Sequence, residues 1–328
     1  MAAIEAQDLS RQFTYYHKEI GLKNSLKNLF HRERLIKDAV QGISFTIEEG
    51  EMVGFLGPNG AGKTTTLKML SGILYPTAGQ ATVLGFIPWE RKKELKMRFS
   101  IVMGQKSQLW WDLPANESLY LNKCIYEIDD RAYDESLTEL AELLDVRDLL
   151  KVQVRRLSLG ERMKMELIAA LIHRPRVLFL DEPTIGLDLM SQRKIRQFFK
   201  HHNQQYKTTV ILTSHYLNDI EDLCKRTIVI NQGRIIYDGE LAKINAVFGS
   251  KKLIKLHLSK AVARESLAGL GELKEYDGYN ATIEVDKKLL KDRSQMILEG
   301  MPVVDFNVED IPVEEGIALL YRQTEAVS

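Results

Sequence analysis

The chain has 328 residues, with 45 Lys+Arg against 45 Asp+Glu and a formal net charge of zero. That length points to two domains, and 45% hydrophobic with 27% charged residues is an ordinary globular composition with enough apolar surface for a sizeable core. Neutrality gives no global reason to expect nucleic acid as a partner, and none is expected. No apolar run approaches the roughly 18–20 residues that span a bilayer. The start, MAAIEAQDLS, is too polar for a secretory signal. Two cysteines, Cys124 and Cys224, exclude a disulfide framework and an all-cysteine zinc site, and they fit a reducing cytosol. A role at a membrane therefore needs another chain to supply the span.

In chain order, the first predicted strand runs from Ala3 to Phe13. A basic stretch at about 15–37 follows, with Lys18, Lys23, Lys27, Arg32, Arg34 and Lys37 against Glu19 and Glu33. Leu22, Leu26, Leu29 and Phe30 fall at helical spacing within it. Two readings stand: a basic amphipathic helix lying on anionic headgroups or a membrane subunit, or a solvated helix packing its apolar edge on the domain.

Short apolar runs at Val53–Leu56, Val177–Leu180 and Val210–Leu212 are each followed by a helical pattern. Continuous apolar strands alternating with helices predict an α/β fold with a mostly parallel sheet covered on both faces. Residues of about 106–175 have few strand signals and read as a helical subdomain, including the amphipathic Glu139–Leu144. After about 248 the pattern shifts to strands at Leu253–Leu258, Thr282–Val285 and Val303–Phe306. The expected division is therefore 1–247 and 248–328, the second part a small α+β domain.

Gly57-Pro58-Asn59-Gly60-Ala61-Gly62-Lys63-Thr64 matches G-x-x-x-x-G-K-S/T in full. A strand precedes it and a helix-forming run follows, with Thr65 next in line. Glycines let the backbone turn its N–H groups inward onto phosphate oxygens, and the helix N-terminus adds a favourable dipole. Lys63 reaches the β- and γ-phosphates, and the Thr64 hydroxyl ligates Mg2+. About 120 residues on, Val177–Leu180 ends in Asp181-Glu182. A buried strand delivering a carboxylate at its C-terminal end is where a phosphate-loop ATPase holds Mg2+. Asp181 is the expected metal residue, and Glu182 the general base for the attacking water.

Between these sites lies Leu157-Ser158-Leu159-Gly160-Glu161, opening an amphipathic helix. This order of motifs resembles the nucleotide-binding subunit of ATP-binding cassette (ABC) transporters, over about residues 3–245. The resemblance implies a P-loop ABC cassette with ATP and Mg2+ as cofactors. It implies that Gln105 touches Mg2+ or the lytic water, and that His215 senses the γ-phosphate. Ser158 and Gly160 match the family's Leu-Ser-Gly-Gly-Gln signature, which binds ATP held by the opposite subunit. Asp188, in Ile185-Gly186-Leu187-Asp188, resembles the acid of a loop crossing the dimer seam. The adenine-stacking aromatic follows the first strand; Phe13 fits by register, with Tyr15 and Tyr16 as rivals. Leu159 and Glu161 depart from the signature. A side chain at 159 on the nucleotide side would crowd the opposing phosphate, and the Glu161 charge would weaken ATP sandwiching.

The implied function is the ATPase subunit of a transporter, leaning to export, at the cytoplasmic face of the membrane. Its partners would be a separate integral-membrane permease and a second cassette, in a homodimer or a heterodimer. Trp110 and Trp111 would be anchors for that permease if exposed, or core if not. Residues 251–328 carry eleven Lys+Arg and fourteen Asp+Glu; this tail reads as a dimerising or regulatory extension, or as passive packing. The rival functions are a soluble mechanical or nucleic-acid ATPase, and a nucleotide-gated binding protein with little turnover. Reversing the charges of Lys23 and Lys27 is expected to weaken membrane association in a vesicle or membrane-fraction pull-down while sparing ATP binding. Unchanged association would remove the membrane-helix reading.

Overall fold

The computed structural model describes residues 1–16, 34–104, 107–214, 216–248 and 251–325. It divides into two compact units, Met1–Asp238 and Gly239–Ser328. The boundary falls earlier than the expected 247/248 because the short helix Leu241–Phe248 packs against the last helix of the chain.

The chain begins with β1 (Ala2–Tyr16), β2 (Arg34–Glu48), β3 (Met52–Leu56), α1 (Lys63–Leu70), β4 (Ala78–Val83) and β5 (Phe99–Met103). Three helices follow, α2 (Ala115–Ile125), α3 (Asp130–Leu143) and α4 (Leu159–Leu171). Then come β6 (Val177–Asp181), α5 (Leu189–Tyr206), β7 (Thr209–Thr213), α6 (Leu217–Leu223), β8 (Arg226–Asn231) and β9 (Arg234–Glu240).

The six-stranded sheet has the order β5-β6-β7-β3-β8-β9. Its β5–β6, β6–β7, β7–β3 and β3–β8 pairs are parallel. Every residue of β6 and β7 is buried, as expected for central strands covered on both faces. The order puts β7 between the strand that feeds the phosphate loop and the strand that ends in Asp181.

A second sheet was not anticipated as a separate layer. It is three-stranded and antiparallel, in the order β2-β1-β4. Ile4, Ala6 and Leu9 of β1 and Ile43, Phe45 and Ile47 of β2 are buried in one core with Leu67 and Leu70 of α1 and Phe55, Phe179 and Ile228 of the main sheet. Helix α1 thus shares its core with both sheets, which holds the phosphate loop rigidly at its N-terminus. The described ends of the basic stretch are strand rather than helix: Phe13 pairs with Lys37, and Tyr15 with Leu35. The positions proposed for an amphipathic face, Leu22, Leu26, Leu29 and Phe30, lie outside the described residues, as do Lys18, Lys23, Lys27 and Arg32.

The second unit contains β10 (Lys251–Leu258), α7 (Arg264–Ala268), β11 (Glu272–Tyr276), β12 (Asn280–Asp286), α8 (Leu290–Gly300), β13 (Val303–Asp310) and α9 (Val313–Glu325). Its sheet is antiparallel, in the order β11-β12-β10-β13. Ile254, Leu256 and Leu258 alternate along β10 and meet Leu267, Ile283, Val285 and Ile297 in a separate core. This is the small α+β domain that the tail's alternating pattern predicts.

Two histidines in the first unit make its stability sensitive to acid. The His173 ring stacks on Tyr126 with centroids 3.7 Å apart, and His202 packs beside Phe198 and Tyr206. Burial pushes both imidazoles down to about 4, against a weaker upward pull on His173 from the Phe99 carbonyl. Below its ordinary value near 6.5 the unfolded chain takes up protons that the folded chain refuses. Stability is therefore expected to fall as pH drops from about 6.5 toward 4, by up to about 1.4 kcal/mol per pH unit for each histidine. Urea unfolding across that range measures it, and His202→Gln is expected to flatten the slope.

Candidate active site

Strand β3 ends at Leu56 and hands the chain to the phosphate loop. The loop's backbone admits only glycine at two points. Gly62, the N-cap of α1, has φ +110°, and a Cβ there would lie 2.4 Å from the Ala39 carbonyl oxygen. A Cβ on Gly57 would lie 2.3 Å from the Ile230 carbonyl oxygen. The loop is thus pressed between β2 and the end of β8. Lys63 is buried, and its ammonium donates to the carbonyls of Gly57 at 2.6 Å and Pro58 at 3.1 Å. Burial lowers its pKa, opposed by the negative charges of Glu182 and Asp181.

The Thr64 hydroxyl donates to the Asp181 carboxylate, at 2.9 Å to Oδ2 and 3.1 Å to Oδ1. From the strand between, the Thr213 hydroxyl donates to Asp181 Oδ1 at 2.8 Å. A hydroxyl and a carboxylate side by side are hard oxygen donors of the kind Mg2+ takes, with water and phosphate oxygens completing its shell. The residues fit that ion.

Glu182 stands next to Asp181 with φ +56°, an uncommon conformation for a residue with a side chain. Its N–H is held by Thr213, through the carbonyl and the hydroxyl, both at 3.1 Å. The turn sends consecutive carboxylates to different tasks: Asp181 to Thr64, and Glu182 into the cavity beside the loop. That cavity has a volume of about 310 Å3. Its walls are Asn59 to Thr65 of the loop and helix start, together with Glu182, Phe13, Tyr15, Lys37 and Ala39.

Phe13 and Tyr15 sit two apart on β1, so both face the same side. The structure thus brings two of the three rival aromatics to the cavity, and Tyr16 is not in its wall. The Arg11 guanidinium lies over the Phe13 ring at 4.8 Å and also donates to the Tyr75 carbonyl.

Ser158, Gly160 and Asp188 are not in the cavity wall. They meet elsewhere, where the head of α4 packs on the loop Ile185–Asp188. A Cβ on Gly160 would come within 2.8 Å of Ser191 Oγ, and one on Gly186 within 3.1 Å of Leu159 Cδ2. Leu159 is thus turned against its own chain's loop. Glu161 and Ser158 form a reciprocal capping box: Ser158 Oγ accepts the Glu161 N–H at 3.2 Å, and Glu161 Oε2 accepts the Ser158 N–H at 2.8 Å. Those bonds lower the Glu161 pKa, led by the one from the Ser158 backbone. The charge feared as repulsive is spent on the helix N-terminus. Asp188 caps α5, accepting from the Met190 and Ser191 N–H groups and the Ser191 hydroxyl, which hold its carboxyl below the usual range.

Gln105 and His215 lie outside the described residues. Trp110 and Trp111 are 59% and 50% exposed, so the core reading of this pair is overturned; Leu109 beside them carries the burial instead. Thr213, which bonds the Asp181 carboxylate and the Glu182 N–H, is a functional residue that the sequence reading does not single out. Its only signal was a hydroxyl at the last position of an otherwise apolar strand. Lys37, at the end of the basic stretch, lies in the cavity wall, and its position in the sequence carries no signal of that.

The family described as "ABC transporter" matches residues 40–185, and that described as "EvrA-like ABC transporter, C-terminal domain" matches residues 250–309. The ABC transporter ATP-binding protein NatA of Bacillus subtilis is 34% identical over 233 residues, 71% of this chain and 94% of that protein. The daunorubicin resistance ATP-binding protein DrrA3 of Streptomyces coeruleorubidus is 30% identical over 88% of this chain and 89% of its own length. The dimeric post-hydrolysis structure of the ATP-binding cassette MJ0796, bound to ADP and Pi, shares the fold, with TM-score 0.60, 21% identity, and coverage of 72% of this chain and 98% of that one. The chain belongs to the ATP-binding proteins of ABC transporters. It is a nucleotide-binding ATPase with an EvrA-like C-terminal domain.

The glycine constraint is directly testable. Gly62→Ala forces a side chain into a positive-φ position against the Ala39 carbonyl. ATP affinity is expected to fall by at least about tenfold while the circular dichroism spectrum is kept. Titration with a fluorescent ATP analogue measures it.

Proposed function

We propose that this ATPase powers a separate integral-membrane permease from the cytoplasmic face, in the export direction. Two cassettes close on two ATP molecules, each ATP lying between the loop of one and the signature turn of the other. The carrying observation is the separation on one chain between the cavity of Lys63, Thr64 and Glu182 and the turn of Ser158 and Gly160. A helix start lying outside its own chain's cavity suits a second copy's nucleotide. The dimeric state of the similar MJ0796 cassette supports this reading. The exposed Trp110 and Trp111 support a docked partner, and the drug-resistance role in the name of DrrA3 supports export. Among the described residues no helix is long and apolar enough to cross a membrane; in this reading the permease supplies the span.

In this mechanism the ATP triphosphate lies along Asn59–Thr65, and its adenine stacks on Phe13 or Tyr15. Loop N–H groups and the α1 N-terminus accept the phosphate charge. Lys63 exchanges its loop carbonyls for β- and γ-phosphate oxygens. Thr64 and Asp181, with Gln105, would hold Mg2+, which when bound would supply stabilisation of negative charge on the transferring phosphoryl group. Glu182 takes the proton of the attacking water, and His215 steadies the γ-phosphate. Ser158 and Gly160 contact that phosphate from the second copy, with Asp188 at the seam. Closure and reopening of the pair switch the permease between access states.

Glu182→Gln removes the base but keeps its size. Phosphate release is expected to fall by about 10²–10⁴-fold, with an ATP-bound dimer accumulating in size-exclusion chromatography. A monomer at saturating ATP would count against the sandwich. Equal silence of wild type and variant, with ATP still bound, would favour a nucleotide-gated binding protein.

A further inference from the structure

Glu166 sits on α4, about two turns beyond the signature turn, and is only 4% exposed. Hydrolysis as proposed gives it no task. Its neighbours Met165 and Leu167 are fully buried, so the surroundings would accept an apolar side chain. Replacing a buried charged group by an apolar one of similar volume is often neutral for stability, so packing alone does not account for a carboxylate here.

Its bonds point across the fold. Oε1 accepts the Ser107 hydroxyl at 2.5 Å, and the Gln108 N–H donates to both carboxylate oxygens, at 3.0 and 3.1 Å. Ser107 Oγ in turn accepts the Leu109 N–H at 3.2 Å. Burial outweighs these bonds and pushes the carboxyl above its ordinary range. The same short segment is tied to two other elements. The Gln108 side chain donates to the Ile101 carbonyl on β5 at 3.0 Å, and the Trp110 N–H donates to Ser118 Oγ on α2 at 3.0 Å. Residues 107–110 thus join the main sheet, α2 and α4, and Glu166 makes the α4 bond.

We propose that Glu166 is a positioning residue that latches the segment leaving Gln105 onto the signature helix, so that residues 107–110 and the turn Ser158–Gly160 move as one body. A displacement of α4 then carries residues 107–110 with it, and a load on the exposed Trp110–Trp111 surface reaches the signature turn by the same bonds. The inference rests on the proposed roles of Gln105 and the signature turn in hydrolysis.

The test uses the full-length protein with three readouts: steady-state ATPase, binding of a fluorescent ATP analogue, and intrinsic tryptophan emission on adding ATP. Two of the chain's three tryptophans, Trp110 and Trp111, lie in or beside the latched segment. E166Q keeps the volume but sets an amide against the segment's donors. It is expected to lower kcat by about tenfold with KM for ATP within about twofold, and to blunt the emission change. S107A removes the hydroxyl's bond to Glu166 and its bonds to Leu109 but leaves the Gln108 N–H on the carboxylate, and is expected to give a smaller effect of the same kind. The double variant should be no worse than E166Q alone, because both changes break one latch. Wild-type kcat and emission in E166Q, or additive effects in the double variant, would overturn the proposal. Should E166Q fail to fold by circular dichroism, S107A decides, and its matching wild type in all three readouts overturns it. Gln105→Ala separates the two layers: unchanged turnover there withdraws the role of Gln105, and the latch then stands or falls on the emission response.

Discussion

The Asp181 carboxylate is the contact on which the rest of the site depends. It receives a hydroxyl from Thr64 on α1 and another from Thr213 on β7. One buried side chain therefore fixes the start of the phosphate-loop helix, the end of the acid-bearing strand and the end of the strand between them. The parallel register makes this possible: Asp181 is paired with Thr213, and Phe55 on the next strand is paired with Thr213 from the other side. A one-residue slip would turn the carboxylate to the opposite face of the sheet. The same contact sets Glu182, whose backbone is held by Thr213 in a left-handed turn.

A backbone constraint stands beside it. The loop is wedged where β2 and β8 approach, and a Cβ at 57 or 62 would collide with a carbonyl of one or the other. The antiparallel sheet thus does more than cover a helix. It supplies Ala39, which limits the loop, and Phe13, Tyr15 and Lys37, which wall the cavity beyond it. At the head of α4 the unusual Glu161 becomes intelligible in the same terms. Its carboxylate completes a capping box on Ser158, so a charge that looks repulsive in the sequence accepts the Ser158 N–H in the fold.

Much of the cassette was legible because its signals are local. The phosphate loop needs eight consecutive residues, and the acid pair needs one apolar strand before it. The small C-terminal domain was legible from the alternation of residues along Leu253–Leu258, which recurs in the buried Ile254, Leu256 and Leu258. What was not legible depends on partners far apart in the chain. Thr213 is an ordinary strand residue until β7 lies beside β6. Glu166 is one charge on an amphipathic helix until Ser107 and Gln108 fold onto it. Trp110 and Trp111 read equally as core or surface, because periodicity assigns no face to a loop.

The sequence by itself determined which groups lie close along the chain: a glycine-rich loop, a lysine and a hydroxyl at its end, and two adjacent carboxylates after an apolar strand, each set by residue type at short spacing. It also signalled a second, smaller α+β unit in the tail, whose boundary in the structure falls between Asp238 and Gly239. Only the tertiary structure decided which groups meet. It placed Phe13 and Tyr15 together in one wall, turned Leu159 against Gly186, and kept the signature turn out of its own chain's cavity. The reason is that spacing along a chain specifies local geometry within a few residues, whereas contacts between elements follow from strand order and from which faces the core buries.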